Sequence, residues 1–68
     1  MTDDALKGLQ KDARKAKRIA TEWASQMHDL VEDQLWTDYE RLPELADKTL
    51  AACLAWKEAQ EKLDAVQQ

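Results

Sequence analysis

The sequence contains one histidine, His28, and its position among acidic residues makes it the first candidate for chemistry. Glu32 follows His28 by four residues, so both would lie on one face of a helix, and Asp29 and Asp33 repeat this spacing on the next face. A divalent metal could find two ligands on this helix and more across a dimer. Two ligands do not make a site, and the sequence lacks the Glu-x-x-His motif of di-iron bundles. We expect a solvated histidine near a loop, with His28 and Glu32 as a weak metal candidate.

A basic run in the first third of the chain is the second candidate. It comprises Lys7, Lys11, Arg14, Lys15, Lys17 and Arg18. Such a run could contact nucleic-acid phosphates. A formal net charge of -4 and a pI near 4.8 argue against a nucleic-acid partner, and no aromatic residue alternates with these charges to stack on bases. We expect a solvated helix face, or a contact with the acidic end of a second copy.

Four apolar residues outside the regular pattern form a candidate docking patch for another protein. They are Leu35, Trp36, Leu50 and Leu54. Leu50 and Leu54 are one helical turn apart, and Leu35 and Trp36 fall at a predicted loop. The alternative is that single surface leucines are ordinary and that Trp36 covers the end of the helices.

The remaining reactive residue types predict structure rather than catalysis. Trp23 and Trp56 recur at core spacing, and we expect Cys53 beside them to be a buried small hydrophobe. The sequence supplies no nucleophile with its base and no glycine-rich phosphate loop. We therefore expect neither enzymatic activity nor a cofactor.

Two long helices must position all of these residues. Sixteen residues recur with alternating steps of three and four, which places them on one stripe of each helix. We call this set the seam, and its members are Leu6, Leu9, Ala13, Ala16, Ala20, Trp23, Met27 and Leu30 in the first helix and Leu42, Leu45, Thr49, Ala52, Trp56, Ala59, Leu63 and Val66 in the second. The 68 residues allow one small domain, 1–68.

The predicted helix boundaries follow from local signals. We predict helix 1 over residues 3–33, a loop over 34–37 and helix 2 over 38–66. Thr37 followed by Glu40 has the capping-box pattern that starts a helix at Asp38. Pro43 has no N–H to donate to the carbonyl of Tyr39, which predicts a kink or a short first turn before the main helix.

The seam predicts that two hairpins associate. Folding the chain at residue 36 pairs Ala20 with Ala52 and Ala13 with Ala59, and such thin layers cannot fill a hairpin alone. Further apolar residues widen the stripe beyond a two-helix seam, namely Ile19, Ala24, Val31, Ala46 and Cys53. We predict an all-α fold in which two antiparallel helical hairpins form an antiparallel homodimeric four-helix bundle.

The charge distribution favours the antiparallel arrangement of the two hairpins. Residues 1–20 carry six Lys/Arg and three Asp/Glu, whereas residues 21–47 carry one and eight. An antiparallel dimer places the basic segment of one copy beside the acidic segment of the other. The sequence shows no signal peptide, lipidation motif or membrane span, so we expect a cytoplasmic protein without a membrane partner.

The residues around the loop resemble a known family. They are Met27-His28-Asp29-Leu30-Val31-Glu32-Asp33, Thr37-Asp38-Tyr39-Glu40 and Leu45-Ala46-Asp47-Lys48-Thr49. This pattern resembles the Rop-like family of small bacterial proteins encoded in nitrogen-fixation gene clusters. The resemblance implies two antiparallel helices, a rod-like dimer similar in shape to the plasmid regulator Rop, and a role in nitrogen fixation.

The residues and the resemblance together lead to a functional prediction. We predict a non-catalytic accessory, adaptor or scaffold protein whose partners are a second copy of itself and a protein of the nitrogen-fixation system. Because Rop grips RNA with the first helices of its dimer, an RNA-binding regulator that uses the basic run is one alternative. A metal or metallocluster carrier near His28 is the other.

Overall fold

The computed structural model, which describes residues 3–67, is a helical hairpin. Helix α1 (Asp3–Asp33) and helix α3 (Leu42–Gln67) run antiparallel along each other, and between them lie a one-turn helix α2 (Leu35–Asp38) and a 3-10 turn (Tyr39–Arg41). The Cα trace forms a rod of 52 × 14 × 14 Å. The prediction of an all-α hairpin is confirmed. Met1, Thr2 and Gln68, which belong to the predicted domain, lie outside the described residues.

The seam holds the two long helices together. All sixteen of its side chains are buried or half-buried, and the four that are buried are Ala13, Leu30, Leu45 and Leu63. Leu30 and Leu45, near the turn, are the most enclosed, at 1% and 3% exposure. The polar member, Thr49, is satisfied because its hydroxyl donates to the carbonyl of Leu45 at 2.7 Å. The stripe of alternating three and four steps is thus the contact between α1 and α3.

The turn is more ordered than the loop predicted over 34–37. Gln34 is the one residue of that range outside a helix, and its N–H donates to the carbonyl of Leu30 at 2.9 Å. The carbonyl of Gln34 then accepts the N–H of Thr37 at 3.2 Å and that of Asp38 at 2.8 Å. These bonds wind the chain directly into α2, because the polar groups freed at the end of α1 find partners within the next turn.

The main second helix begins at Leu42 rather than at the predicted Asp38. The Thr37 hydroxyl donates to the carbonyl of Gln34 at 3.3 Å, and Asp38 makes no side-chain capping bond at the start of the 3-10 turn, so the capping box does not form. Pro43 is the second residue of α3, a position where its missing N–H leaves no intrahelical bond unmade. A short turn therefore precedes the main helix, as Pro43 predicts.

Candidate interaction surfaces

His28 lies close to two carboxylates on the exposed side of α1. Its Nε2 lies 3.1 Å from Glu32 Oε2 and its Nδ1 lies 3.8 Å from Asp29 Oδ1. The imidazole is 73% exposed, and within residues 3–67 no three histidine, cysteine, aspartate or glutamate side chains converge as metal ligands would. Exposed pairs of this kind contribute about 0–1 kcal/mol to stability. The sequence spacing therefore brings His28 and Glu32 together, with both ring nitrogens next to carboxylates.

The basic run extends from the outer face of α1 to the groove beside α3, and Arg14 borders both. Four of its members line one shallow depression, which we call the basic face, namely Lys11, Arg14, Lys15 and Arg18. Lys17 instead borders a groove shared with α3. The ion pairs formed among the described side chains involve none of the six basic residues, so their charges face water.

A partly apolar groove runs along one side of the hairpin, between α1 and α3 over most of its length and along α1 alone near the turn. Three depressions follow each other there, and neighbouring depressions share Lys17 and Trp56 or share Ala24. We call their union the side groove, and its lining comprises Gln10, Ala13, Arg14, Lys17, Ala20, Thr21, Ala24, Met27, His28, Val31 and Glu32 from α1 and Cys53, Trp56, Gln60 and Leu63 from α3. The central and turn-proximal parts are mainly apolar, and polar side chains occupy the other end.

The other side of the hairpin, which we call the polar side, combines charged and apolar side chains in equal number in its one depression among the described residues. A depression there is lined by Leu9, Asp12, Ala55, Glu58, Ala59 and Lys62. Glu58 and Lys62 pair across one helical turn at 3.6 Å. The Lys48 ammonium stands 5.3 Å from the centre of the Trp23 ring, a cation–π contact between the two helices. Charges therefore cover the seam on this side.

The expectation that Cys53 is buried is wrong for the single hairpin. Cys53 is exposed and borders the side groove with Ala20, Ala24 and Trp56. It immediately follows the seam residue Ala52, and a step of one residue turns a side chain about 100° around a helix, away from α1. Trp23 and Trp56 are half-buried in the seam. The flanking apolar residues in the sequence indicated an apolar surface here. The sequence did not predict the polar borders of the groove at Gln10 and Gln60.

The predicted docking patch separates into two places. Leu50 and Leu54 are 58% and 56% exposed on the face of α3 that points away from α1, and we call them the outer leucines. Trp36 is 87% exposed on α2, whereas Leu35 is half-buried. In the single hairpin, Trp36 therefore does not cover the end of the helices. The turn between the helices, residues 34–41, is called the tip below.

These surfaces and this fold define a small helical hairpin of the protein-interaction type. The model of the Rop-like family matches residues 4–68, and the chain belongs to that family. The resemblance seen around the turn is thus confirmed at the level of the family, over nearly the whole chain. No curated protein and no solved structure matches it. Neither long helix, over residues 3–67, has an apolar stretch long enough to cross a bilayer.

Proposed function

We propose that this chain is a non-catalytic, cytoplasmic accessory protein of nitrogen fixation, which dimerises and uses its remaining apolar surface as an adaptor. The observation that carries the proposal is that apolar side chains stay exposed on two different sides of the hairpin. The side groove is one, and the outer leucines are the other. An adaptor needs two such surfaces, one for assembly and one for the protein it recruits.

The side groove is suited to a second copy of the chain. Ala20, Ala24 and Cys53 leave a depression between the helices that continues along α1 past Val31, and the same small side chains on another hairpin permit close approach of the backbones. The Rop-like family is dimeric, which supports self-association. The basic residues 1–20 and the acidic residues 21–47 favour an antiparallel arrangement of the copies.

The outer leucines remain free when the groove is filled. Leu50 precedes the groove residue Cys53 by three positions and Leu54 follows it by one, so they lie about 60° and about 100° further around α3, away from the seam. Their separation by four residues forms one apolar ridge. Such a ridge fits an apolar groove on a partner protein. The link to nitrogen fixation rests on the motif from His28 to Tyr39, which is similar to that of the nitrogen-fixation members of the family.

The test is capture of a tagged full-length chain from extracts of nitrogen-fixing cells, with and without ribonuclease. We expect a protein of the nitrogen-fixation system to be retained in both conditions. The variant Leu50→Glu/Leu54→Glu should reduce its recovery by about tenfold or more, because charges cannot enter an apolar contact. The matched control Ala51→Glu/Ala55→Glu adds the same two charges at exposed positions of α3 and should leave capture unchanged.

Two other outcomes would replace the proposal. The basic face gathers four cations in one depression, which supports an RNA-binding regulator as the second candidate. Loss of all captured material on ribonuclease treatment would establish that function and overturn the adaptor. Metal that co-purifies with the wild-type chain and is lost in His28→Ala would overturn it in favour of a metal carrier.

A further inference from the structure

The tip presents a large aromatic side chain on an ordered support. Trp36 is 87% exposed, although it belongs to α2, and Gln34 joins that helix to α1, because its N–H donates to the carbonyl of Leu30 and its carbonyl accepts from Thr37 and Asp38. Tyr39, one turn further, is 55% exposed. An exposed indole on a rigid element loses little conformational entropy on binding, which is why tryptophan is enriched among residues that dominate interfaces.

The surroundings of Trp36 are acidic and lack a compensating charge. No lysine or arginine occurs between Arg18 and Arg41 in the sequence. Asp38 and Glu40 belong to the tip and Asp33 immediately precedes it, and in the described part of the chain none of the three takes part in an ion pair. The tip therefore combines exposed aromatic surface with a local negative field.

A second copy bound in the side groove leaves the tip uncovered. If the two α1 helices lie side by side along their whole length and run in opposite directions, residue 33 of one copy lies beside residue 3 of the other. Residues 34–41 then project beyond the end of the partner's α1. The basic residues of the second copy lie beside residues earlier in α1, and the carboxylates of the tip keep their charge.

We propose that the tip binds a lysine- and arginine-rich segment of a partner protein, with Trp36 as the anchor. Cationic side chains pair with the free carboxylates, and an ammonium or guanidinium group stacks on the indole. The Lys48 to Trp23 contact at 5.3 Å forms the same interaction inside the hairpin. This inference rests on the proposed function in one respect, since it names the chemistry of a partner for the adaptor.

The experiment is a titration of the isotope-labelled full-length chain followed by nuclear magnetic resonance. The probe is a synthetic peptide of alternating lysine, arginine and leucine, and its control has glutamate in place of every basic residue. The chain has three tryptophans, so three indole N–H signals report separately. We expect the basic peptide to shift the Trp36 indole and the backbone amides of residues 33–41, and to leave the Trp23 and Trp56 indoles unchanged.

Variants then measure separately what Trp36 and what the carboxylates contribute to peptide binding. Trp36→Ala should weaken peptide binding by about tenfold or more, whereas Ile19→Ala, which removes a partly exposed apolar side chain outside the proposed binding surfaces, should leave the affinity unchanged. Asp33→Asn/Glu40→Gln should weaken binding and flatten its salt dependence. Glu58→Gln/Glu61→Gln, which removes two charges near the other end of the molecule, should do neither.

Three results would overturn the inference. They are equal binding of the acidic peptide, peptide-induced shifts that spare residues 33–41, and a shift of the Trp36 indole by phosphatidylcholine vesicles alone, which would assign the tip to a lipid surface. Failure of the proposed function is distinguishable, because Trp36→Ala should remain dimeric. Loss of partner capture in Leu50→Glu/Leu54→Glu is also measured independently of this peptide.

Discussion

The two sides of the hairpin cover the same seam in different ways. On the polar side, Lys48 spans from α3 to the Trp23 ring, and Glu58 pairs with Lys62 beside the seam. On the other side, Ala24 and Cys53 are too small to cover the half-buried Trp56, and the side groove results. The polar side is therefore covered within one chain, whereas the groove side is open in the single hairpin, and we propose that a second copy fills it.

This difference shows how a chain of this size divides its stabilisation between folding and assembly. Four hydrophobic side chains are buried among the described residues of the single hairpin. Small domains gain little from one seam, since ordering each residue costs about 1.5 kcal/mol. Long charged side chains shield a seam with their aliphatic stems, as on the polar side. Small apolar side chains leave room for a second hairpin.

The largest effect on stability is expected when a buried residue of the seam, which both sides cover, is truncated. Leu30 is 1% exposed beside the turn, and Leu30→Ala should lower the free energy of unfolding by about 2–5 kcal/mol, because a cavity replaces a buried side chain. Urea unfolding followed by circular dichroism measures this loss. Leu54→Ala, an exposed leucine on the same type of element, should change stability by no more than about 0.5 kcal/mol.

A smaller effect, on dimerisation, should distinguish the side groove from the polar side. Ala24→Glu places a charge in the side groove, and Ala55→Glu places the same charge on the polar side. Burying an unpaired charge in an interface costs about 3–5 kcal/mol, so Ala24→Glu should raise the dissociation constant of the dimer by about a hundredfold or more. Light scattering after size-exclusion chromatography measures it. Equal dimerisation of the two variants would show that the groove is not the interface.

The smallest effect concerns the polar side alone. Lys48→Gln keeps most of the side-chain length but removes the cation above Trp23, and it should lower the free energy of unfolding by about 0.5–1 kcal/mol. The dissociation constant of the dimer should not change, because Lys48 lies away from the side groove. A shift in dimerisation with no loss of stability would contradict the division between the sides. Thermal unfolding and sedimentation of the same sample measure both quantities.

The heptad spacing is sufficient to predict the hairpin, because the period of a helix determines which residues meet across a seam. Leu30, Leu45 and Leu63 illustrate this, since each recurs at seam spacing and is buried. The tip was less accessible to prediction. Thr37 and Glu40 match a capping signature, but the carbonyl of Gln34 takes the Thr37 hydroxyl as a donor instead. Several local bonds of similar strength compete there, and tertiary context decides among them.

The surfaces of the hairpin could likewise be predicted only in part from the sequence. The spacing of His28 and Glu32 predicted their contact, because residues four apart meet on any helix. Burial of Cys53 could not be predicted in the same way, since its exposure depends on which neighbour lies next to α3. The exposure of Trp36 likewise depends on the direction in which α2 leaves α1, and that direction follows from the bonds to Gln34 rather than from a sequence period.

The measurement that tests the central claim most directly is sedimentation equilibrium of the unmodified chain at micromolar concentrations. We propose that a second hairpin fills the side groove, so we expect a species of twice the 7.8 kDa chain mass, in equilibrium with a minor monomer on dilution. A mass of 7.8 kDa at every concentration, with the helices intact by circular dichroism, would contradict the account. The hairpin would then be complete in one copy, with the groove left open to water.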